Sequence, residues 1–334
     1  MLNKRIVFVR PREVVIEEAE VSEPSSEQVL IQSLVTLVST GTELTILNGE
    51  FPPDSYWAQY GRYPFVAGYS NVGKVLKVGE NVKLVKAGDR VVCQGPHAQY
   101  VLAEEKDVIQ VPESISDEEA SFHTLAAGVM NSVRLADVSL GESVVVVGAG
   151  LLGQLAIQFS RLCGGFPVIA LDLSERRLEI AKLSGASAAL QVGKGNVEDD
   201  VRSFTKDRMA DVVFEVTGNP KVIPWALRLV KRQGRFIQLS SPRGISEVDF
   251  HDEVNAPSRV IIGTHFNSQP AFETPYNPWT RKRNTELFFD LLSAGIVSVK
   301  HLITHRCPWH EAPTVYQMLL QDRTQAIGVI FDFR

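Results

Sequence analysis

Apolar positions change rhythm along the chain. Up to about residue 120 they come in short runs, Arg5–Val9, Gln28–Leu37, Gly73–Val78 and Arg90–Val92, broken by Gly, Pro and charged turns. Runs of that length and spacing predict a partly barrel-like antiparallel domain. The pattern shifts near residue 117, where Ser116 precedes Asp117-Glu118-Glu119. A capping hydroxyl followed by acids suits the positive end of a helix. From Ser143 to about Phe266, strands Ser143–Val147, Val168–Asp172, Ala188–Gln191, Asp211–Glu215, Gly234–Leu239 and Arg259–Thr264 alternate with other segments. Between them lie helices near Leu152–Cys163, Ser174–Ser184, Asn196–Thr205 and Lys221–Leu229. Continuous apolar strands separated by amphipathic helices predict a parallel, doubly wound sheet, so the fold class is α/β. From about Glu286 the chain reads as helix, strand and helix again, returning to the first domain. The predicted domains are residues 1–120, 121–270 and 271–334, the last rejoining the first.

Composition adds little to this picture but excludes several classes. The 334 residues are 44% hydrophobic and 22% charged, enough for two cores without covalent staples. A net charge of −5 gives no nucleic-acid groove, and the short cluster Arg281-Lys282-Arg283 reads as a solvated turn. Cys93, Cys163 and Cys307 are scattered, with no CxxC or CxxH spacing. That pattern fits neither a disulfide framework nor a structural zinc site, and it suits a reducing cytoplasm. Charges interrupt the N-terminus before any apolar stretch there reaches signal length, and no segment approaches ~18 uninterrupted apolar residues, so a cytoplasmic protein with no membrane partner is expected.

The most specific motif is SVVVVGAGLLGQLAIQFSRL, in which Gly148, Gly150 and Gly153 form GxGxxG between a β-branched strand and a helix. Alone the glycines say little; with the strand before and the helix after they predict a dinucleotide turn. The first glycine permits the turn, the second lets backbone approach a pyrophosphate, and the third lets helix pack on strand. Nineteen residues on, VIALD ends in Asp172, whose carboxylate would accept hydrogen bonds from ribose hydroxyls and repel a 2′-phosphate. This favours NAD over NADP, although Arg176 and Arg177 follow closely and an arginine can accommodate the extra phosphate. The expected cofactor contacts are Gly148, Gly150, Leu151, Leu152, Gly153, Asp172, Arg177 and Thr217.

The runs GTELTI and PFVAGYSNVGKVLKVGENVKLVKAGDRVV, with the dinucleotide segment and LITHRCPWHEAPTVYQML, resemble the medium-chain dehydrogenase/reductase superfamily over nearly the whole chain. That resemblance implies a GroES-like catalytic domain plus a Rossmann domain. Zinc members carry Cys-Gly-Thr-Asp where this chain has Thr40-Gly41-Thr42-Glu43, and Gly-His-Glu where it has Gly68-Tyr69-Ser70. The four-cysteine lobe after GDRV is also missing. Zinc needs about three protein ligands, so no metal is expected. Within the superfamily, GYSNVGKV, GPHA and LITHRCPWHEAPTVY are most similar to the group related to hydroxyethyl bacteriochlorophyllide a dehydrogenase, whose members oxidise a secondary alcohol. The pigment itself is not carried over, because a pocket rather than a fold sets the substrate.

Without a metal, a side chain must handle the hydroxyl proton when hydride moves to a nicotinamide. The resemblance places Tyr69 at a ligand position, His97 beside the substrate cleft, and His123 near a third ligand region. Thr40 takes the cysteine position, and Glu43 replaces an acid that orients a ligand. His97 is the favoured acceptor, since an imidazole titrates near neutral pH. Tyr69 would need a lowered pKa or would serve as a hydrogen-bond donor. His123 reads equally as a helix histidine satisfied by its surroundings. His265, His301, His305 and His310 read as structural. The loops Asn48–Tyr63 and Phe266–Arg283 are rich in aromatic residues and proline, which suits a ring-shaped small-molecule substrate such as a sugar, cyclitol or macrocycle.

The expected function is therefore zinc-independent, NAD-dependent oxidation of a secondary alcohol, or the reverse ketone reduction. A carbon–carbon double-bond or quinone reductase and a non-catalytic NADH-binding protein are the alternatives. A homodimer is expected through the apolar strand Arg259–Thr264.

Overall fold

The computed structural model describes all of residues 1–334, which divide into two units: Met1–Leu125 with Lys282–Arg334, and Ala126–Arg281. The first unit begins with β1 (Leu2–Arg10), β2 (Glu13–Glu20) and β3 (Gln28–Val38). Two short helices follow, α1 (Thr42–Asn48) and α2 (Tyr56–Tyr60), the second within the stretch read from sequence as a loop. Next come β4 (Phe65–Val66), β5 (Asn71–Val78), β6 (Arg90–Cys93), β7 (Tyr100–Glu104), β8 (Ile109–Gln110) and the one-turn α3 (Asp117–Ala120). Ser116 caps α3 in a reciprocal box with Glu119, as the sequence led one to expect.

α4 (His123–Ala136) leads into the parallel sheet of the second unit. Its elements alternate: β9 (Val144–Val147), α5 (Leu151–Leu162), β10 (Val168–Asp172), α6 (Glu175–Leu183), β11 (Ala188–Gln191), α7 (Val197–Phe204), β12 (Ala210–Glu215), α8 (Ile223–Arg228), β13 (Val230–Gln238) and β14 (Val260–Gly263). The spatial order β11-β10-β9-β12-β13-β14 reverses direction between β9 and β12, which makes their carboxyl ends the switch point of a doubly wound sheet. The four valines of β9 are all buried because helices cover both faces of such a sheet. Val145, Val147, Ile169, Val213 and Phe236 anchor one core of this unit.

The chain then returns to the first unit through α9 (Arg281–Ser293), β15 (Ile303–Pro308), α10 (Ala312–Gln321) and β16 (Gly328–Asp332). The basic triplet read as a turn in fact opens α9, so that helix begins five residues earlier than its apolar pattern indicated. β16 pairs with β3 inside the seven-stranded sheet β15-β16-β3-β5-β6-β8, with β7 also on β3, and β2-β1-β4 forms a second sheet. The GPHA segment stitches the two sheets together. Ile6 N–H donates to His97 O at 2.9 Å on one side, and Asn71 Nδ2 of β5 donates to Pro96 O at 3.1 Å on the other. Ile6, Phe8, Leu44, Ile46, Tyr316 and Phe331 fill the core beneath. No helix is long and apolar enough to cross a membrane.

Candidate active site

The dinucleotide turn has the geometry its glycines imply. Gly148 has φ +105°, a backbone conformation that L side chains rarely adopt. A Cβ on Gly153 would lie 1.9 Å from Gly148 O, so only glycine lets α5 pack this closely on the turn. Gly150 is different: a Cβ there would meet nothing nearer than Arg177 Nη1 at 3.9 Å. The protein's own packing does not require that glycine; it keeps clear a space at the start of α5. Leu151 and Leu152 open the helix, where N–H groups have no intrahelical partner and attract anions. These features fit a dinucleotide pyrophosphate.

Asp172 closes β10 beside this turn. Its Oδ2 accepts the Ala149 N–H at 2.7 Å and its Oδ1 accepts the Ser174 N–H at 2.8 Å. Arg177 Nη1 stands 3.9 Å from the same Oδ2. The acid thus braces the glycine turn as well as ending the strand, a bond that sequence reasoning did not anticipate. Thr217 lies against the other side of the turn, its Cγ2 3.1 Å from where a Gly148 Cβ would stand.

In the first unit the substituted ligand positions carry hydroxyls. Tyr69 O–H donates to Ser39 Oγ at 2.5 Å and lies 3.4 Å from Thr42 Oγ1. Burial, reinforced by the Glu43 charge, pushes the Tyr69 phenol well above its ordinary pKa. Tyr69 is therefore a neutral hydrogen-bond donor and not a base. Ser70 donates to Ser121 O at 2.6 Å, and Thr124 Oγ1 donates to Tyr69 O at 3.1 Å, fixing the tyrosine backbone. Thr40 is partly exposed just before α1.

His97, the favoured proton acceptor, is placed differently from expectation. It is 0% exposed, with Nδ1 2.7 Å from Thr36 Oγ1 and Nε2 3.1 Å from Glu43 Oε2. Both ring nitrogens are engaged inside the protein, so the ring underlies the site and does not face it. Glu43 also accepts Ser39 N–H at 2.8 Å and the buried Tyr316 hydroxyl. It therefore orients the Ser39 segment from below. His123 is buried at the start of α4, with Nε2 3.2 Å from Thr124 Oγ1. Ser39, Thr42, Thr36 and Tyr316 were not singled out from sequence. Thr42 stands inside the quoted TGTE run and Tyr316 inside the quoted C-terminal run, so both were within reach. No group of three or more His, Cys, Asp or Glu side chains converges in a way that could hold a metal ion. The donors present do not fit the zinc that related proteins carry.

Comparison with known proteins agrees with this architecture. Residues 25–113 match the alcohol dehydrogenase GroES-like domain, and residues 152–281 match the zinc-binding dehydrogenase family. Sorbitol dehydrogenase of Bacillus subtilis (strain 168) is 23% identical over 98% of this chain and 96% of its own. D-guloside 3-dehydrogenase of Escherichia coli (strain K12) is 27% identical over 98% of this chain and 100% of its own. Among solved structures, an alcohol dehydrogenase from Escherichia coli CFT073 in complex with NADH has a TM-score of 0.84 at 20% identity, covering 99% of each chain. A zinc-binding dehydrogenase from Sinorhizobium meliloti 1021 bound to NADP has a TM-score of 0.80 at 19% identity, again over 99% of each. The chain belongs to the medium-chain dehydrogenase/reductase superfamily, with a GroES-like domain and a Rossmann-type dinucleotide-binding domain.

Proposed function

We propose that this protein oxidises a secondary alcohol on a polyol or glycoside, or reduces the corresponding ketone, using NAD(H) and no catalytic zinc. The observation that carries this reading is the Tyr69 hydroxyl, held between Ser39 and Thr42 where zinc relatives have a ligand. The nicotinamide supplies the hydride acceptor. The protein's part is to hold the reacting oxygen. With substrate bound, the Ser39 hydroxyl can turn to donate to the Tyr69 oxygen, which frees the phenol's one proton for an oxygen on which negative charge develops. The Tyr69, Ser39 and Thr42 hydroxyls can each accept a proton while releasing their own, so a proton from the substrate oxygen can pass along them to solvent water beside the partly exposed Thr42 without leaving any of them ionised. Glu43 and His97 act from beneath, through the Ser39 backbone.

Several observations support the finer points. Asp172 favours NAD through its carboxylate at the end of β10, while Arg177 keeps a cation close by. The named activities of the sorbitol and D-guloside relatives favour a polyhydroxylated substrate. From the resemblance to the hydroxyethyl bacteriochlorophyllide a dehydrogenase group we retain the secondary alcohol and not the pigment. The purified protein, treated with a chelator, should reduce NAD in the presence of sugars, polyols or glycosides, read at 340 nm. Elemental analysis should find no stoichiometric zinc. Reduction of enones or quinones with NADPH in place of alcohol oxidation would overturn the reading, as would activity that disappears with a removed metal. NADH binding with no turnover on any alcohol would mark a non-catalytic protein.

A further inference from the structure

Glu215, the last residue of β12, is an acid that the site described above does not use. It is 0% exposed, yet no cation pairs with it. Four neutral donors surround its carboxylate. Oε1 accepts the Thr217 N–H at 2.7 Å and the Thr217 hydroxyl; Oε2 accepts Gln238 Nε2 at 2.7 Å and the Ser240 hydroxyl. The two hydroxyl oxygens are themselves taken by backbone donors: Asn219 N–H to Thr217 Oγ1 and Gly218 N–H to Ser240 Oγ, each at 3.0 Å. Their protons therefore point at the carboxylate, so all four of its contacts are neutral donors. Burying a carboxyl group this way is costly unless its oxygens are hydrogen-bonded. A valine or isoleucine would fill a buried strand end at less cost, so fold stability does not account for an acid here.

The place it occupies gives it a use. Glu215 pairs with Val147 across the switch point, one residue before the Gly148 turn. Through Thr217 it fixes the segment after β12, and through Gln238 and Ser240 it fixes the segment after β13. The Thr217 side chain and the Val216 carbonyl carbon both lie against Gly148, 3.1 and 3.2 Å from where its Cβ would stand. In a sheet of this order a dinucleotide crosses the switch point. Asp172 serves the adenosine half over β10, which leaves the turns after β12 and β13 to the other half. We infer that Glu215 is a positioning residue that sets the Thr217 and Ser240 turns as the seat for the nicotinamide half of the cofactor. It touches no cofactor atom itself. The inference rests on the dinucleotide reading of the site but not on the identity of the alcohol.

The test compares two probes, NADH and ADP-ribose, which lacks the nicotinamide, titrated calorimetrically into the full-length protein. Glu215→Gln keeps the shape but removes the charge and turns two donors against an amide. It should weaken NADH by about tenfold or more, the scale of losing charge-assisted hydrogen bonds, while ADP-ribose changes by less than about twofold. Thr217→Val should show the same selective loss, and the double variant should be no worse than the single ones, because both act at one point. Equal weakening of both probes would mean a general loss of structure and overturn the inference; so would unchanged NADH affinity. If Glu215→Gln does not fold, Thr217→Val and Ser240→Ala decide by the same two probes. An unmodified protein that binds NADH but oxidises no alcohol would refute the proposed reaction and leave this result standing.

Discussion

His97 and Glu43 meet at 3.1 Å, Nε2 to Oε2, in a place where neither side chain reaches solvent. The carboxylate has three donors there, from His97, Tyr316 and the Ser39 backbone. An imidazole so enclosed is placed to hold a carboxylate in register. His97→Ala should therefore destabilise the fold by about 1–3 kcal/mol, the cost of leaving buried hydrogen-bonding groups of Glu43 and Thr36 without their partner. Chemical denaturation would measure it. A folded His97→Ala protein of unchanged stability with a large loss of turnover would return His97 to the chemistry.

Tyr69→Phe removes one hydroxyl and keeps the ring. Turnover should fall by about 10²–10³, as when one donor to a developing oxyanion is deleted. NADH affinity should be unaffected, since the glycine turn and Asp172 belong to the other unit. Because burial raises the Tyr69 pKa, the phenol stays protonated through the working range. The unmodified enzyme should then show no loss of activity assignable to Tyr69 ionisation as pH rises from neutral toward 10. An alkaline limb abolished by Tyr69→Phe would contradict this.

The second unit was largely legible in the sequence. Val168–Asp172 and Ala188–Gln191 coincide with β10 and β11; the buried β10 reads as an unbroken apolar run, and the half-buried edge strand β11 as a short one, each closed by polar residues. Ser174 and Asn196 cap α6 and α7 with their side chains, which fixes those helix starts locally. The first unit was less legible. β2, with the sequence EVVIEEAE, is half-buried and acidic, so its alternation is weak. α1 is built from TELTILN, poor in helix formers, and is held by burial of Leu44, Ile46 and Leu47. The cofactor turn is contiguous, so its glycines could be named from sequence. The hydroxyl cluster is not: the Tyr316 contact to Glu43 spans 273 positions and depends on how α10 packs. The surroundings of His97 were out of reach for the same reason. Its residue type suggested proton transfer, and only the packing of GPHA between two sheets shows that both ring nitrogens are already used.

Asp172 carries two tasks, and its replacement should expose both. Asp172→Ser removes the acceptor for ribose and the brace on Ala149 N–H. NADH binding should weaken by about 1–3 kcal/mol, the usual loss for a charged hydrogen bond. NADPH should gain relative to NADH, because the carboxylate no longer repels a 2′-phosphate and Arg177 is released from it. Titrations with both cofactors check this. Equal affinity of the unmodified protein for NADH and NADPH would reject the NAD assignment.

β14 ends the six-stranded sheet and turns Val260, 48% exposed, and Ile261, 42% exposed, outward. A regular edge that presents apolar side chains together with unpaired backbone groups invites addition of another strand. A second copy offers the same strand, and a two-fold axis can join the two without leaving a free edge. The protein should therefore be a dimer by light scattering at micromolar concentration. Val260→Lys combined with Ile261→Lys should yield monomers, since two like charges would be set against two more across the axis. The glycine turn follows β9, three places from β14 in the sheet, so the monomeric variant should still bind NADH. Retention of the dimer in that double variant would place the interface elsewhere, and a monomeric unmodified protein would show that these side chains can remain in water.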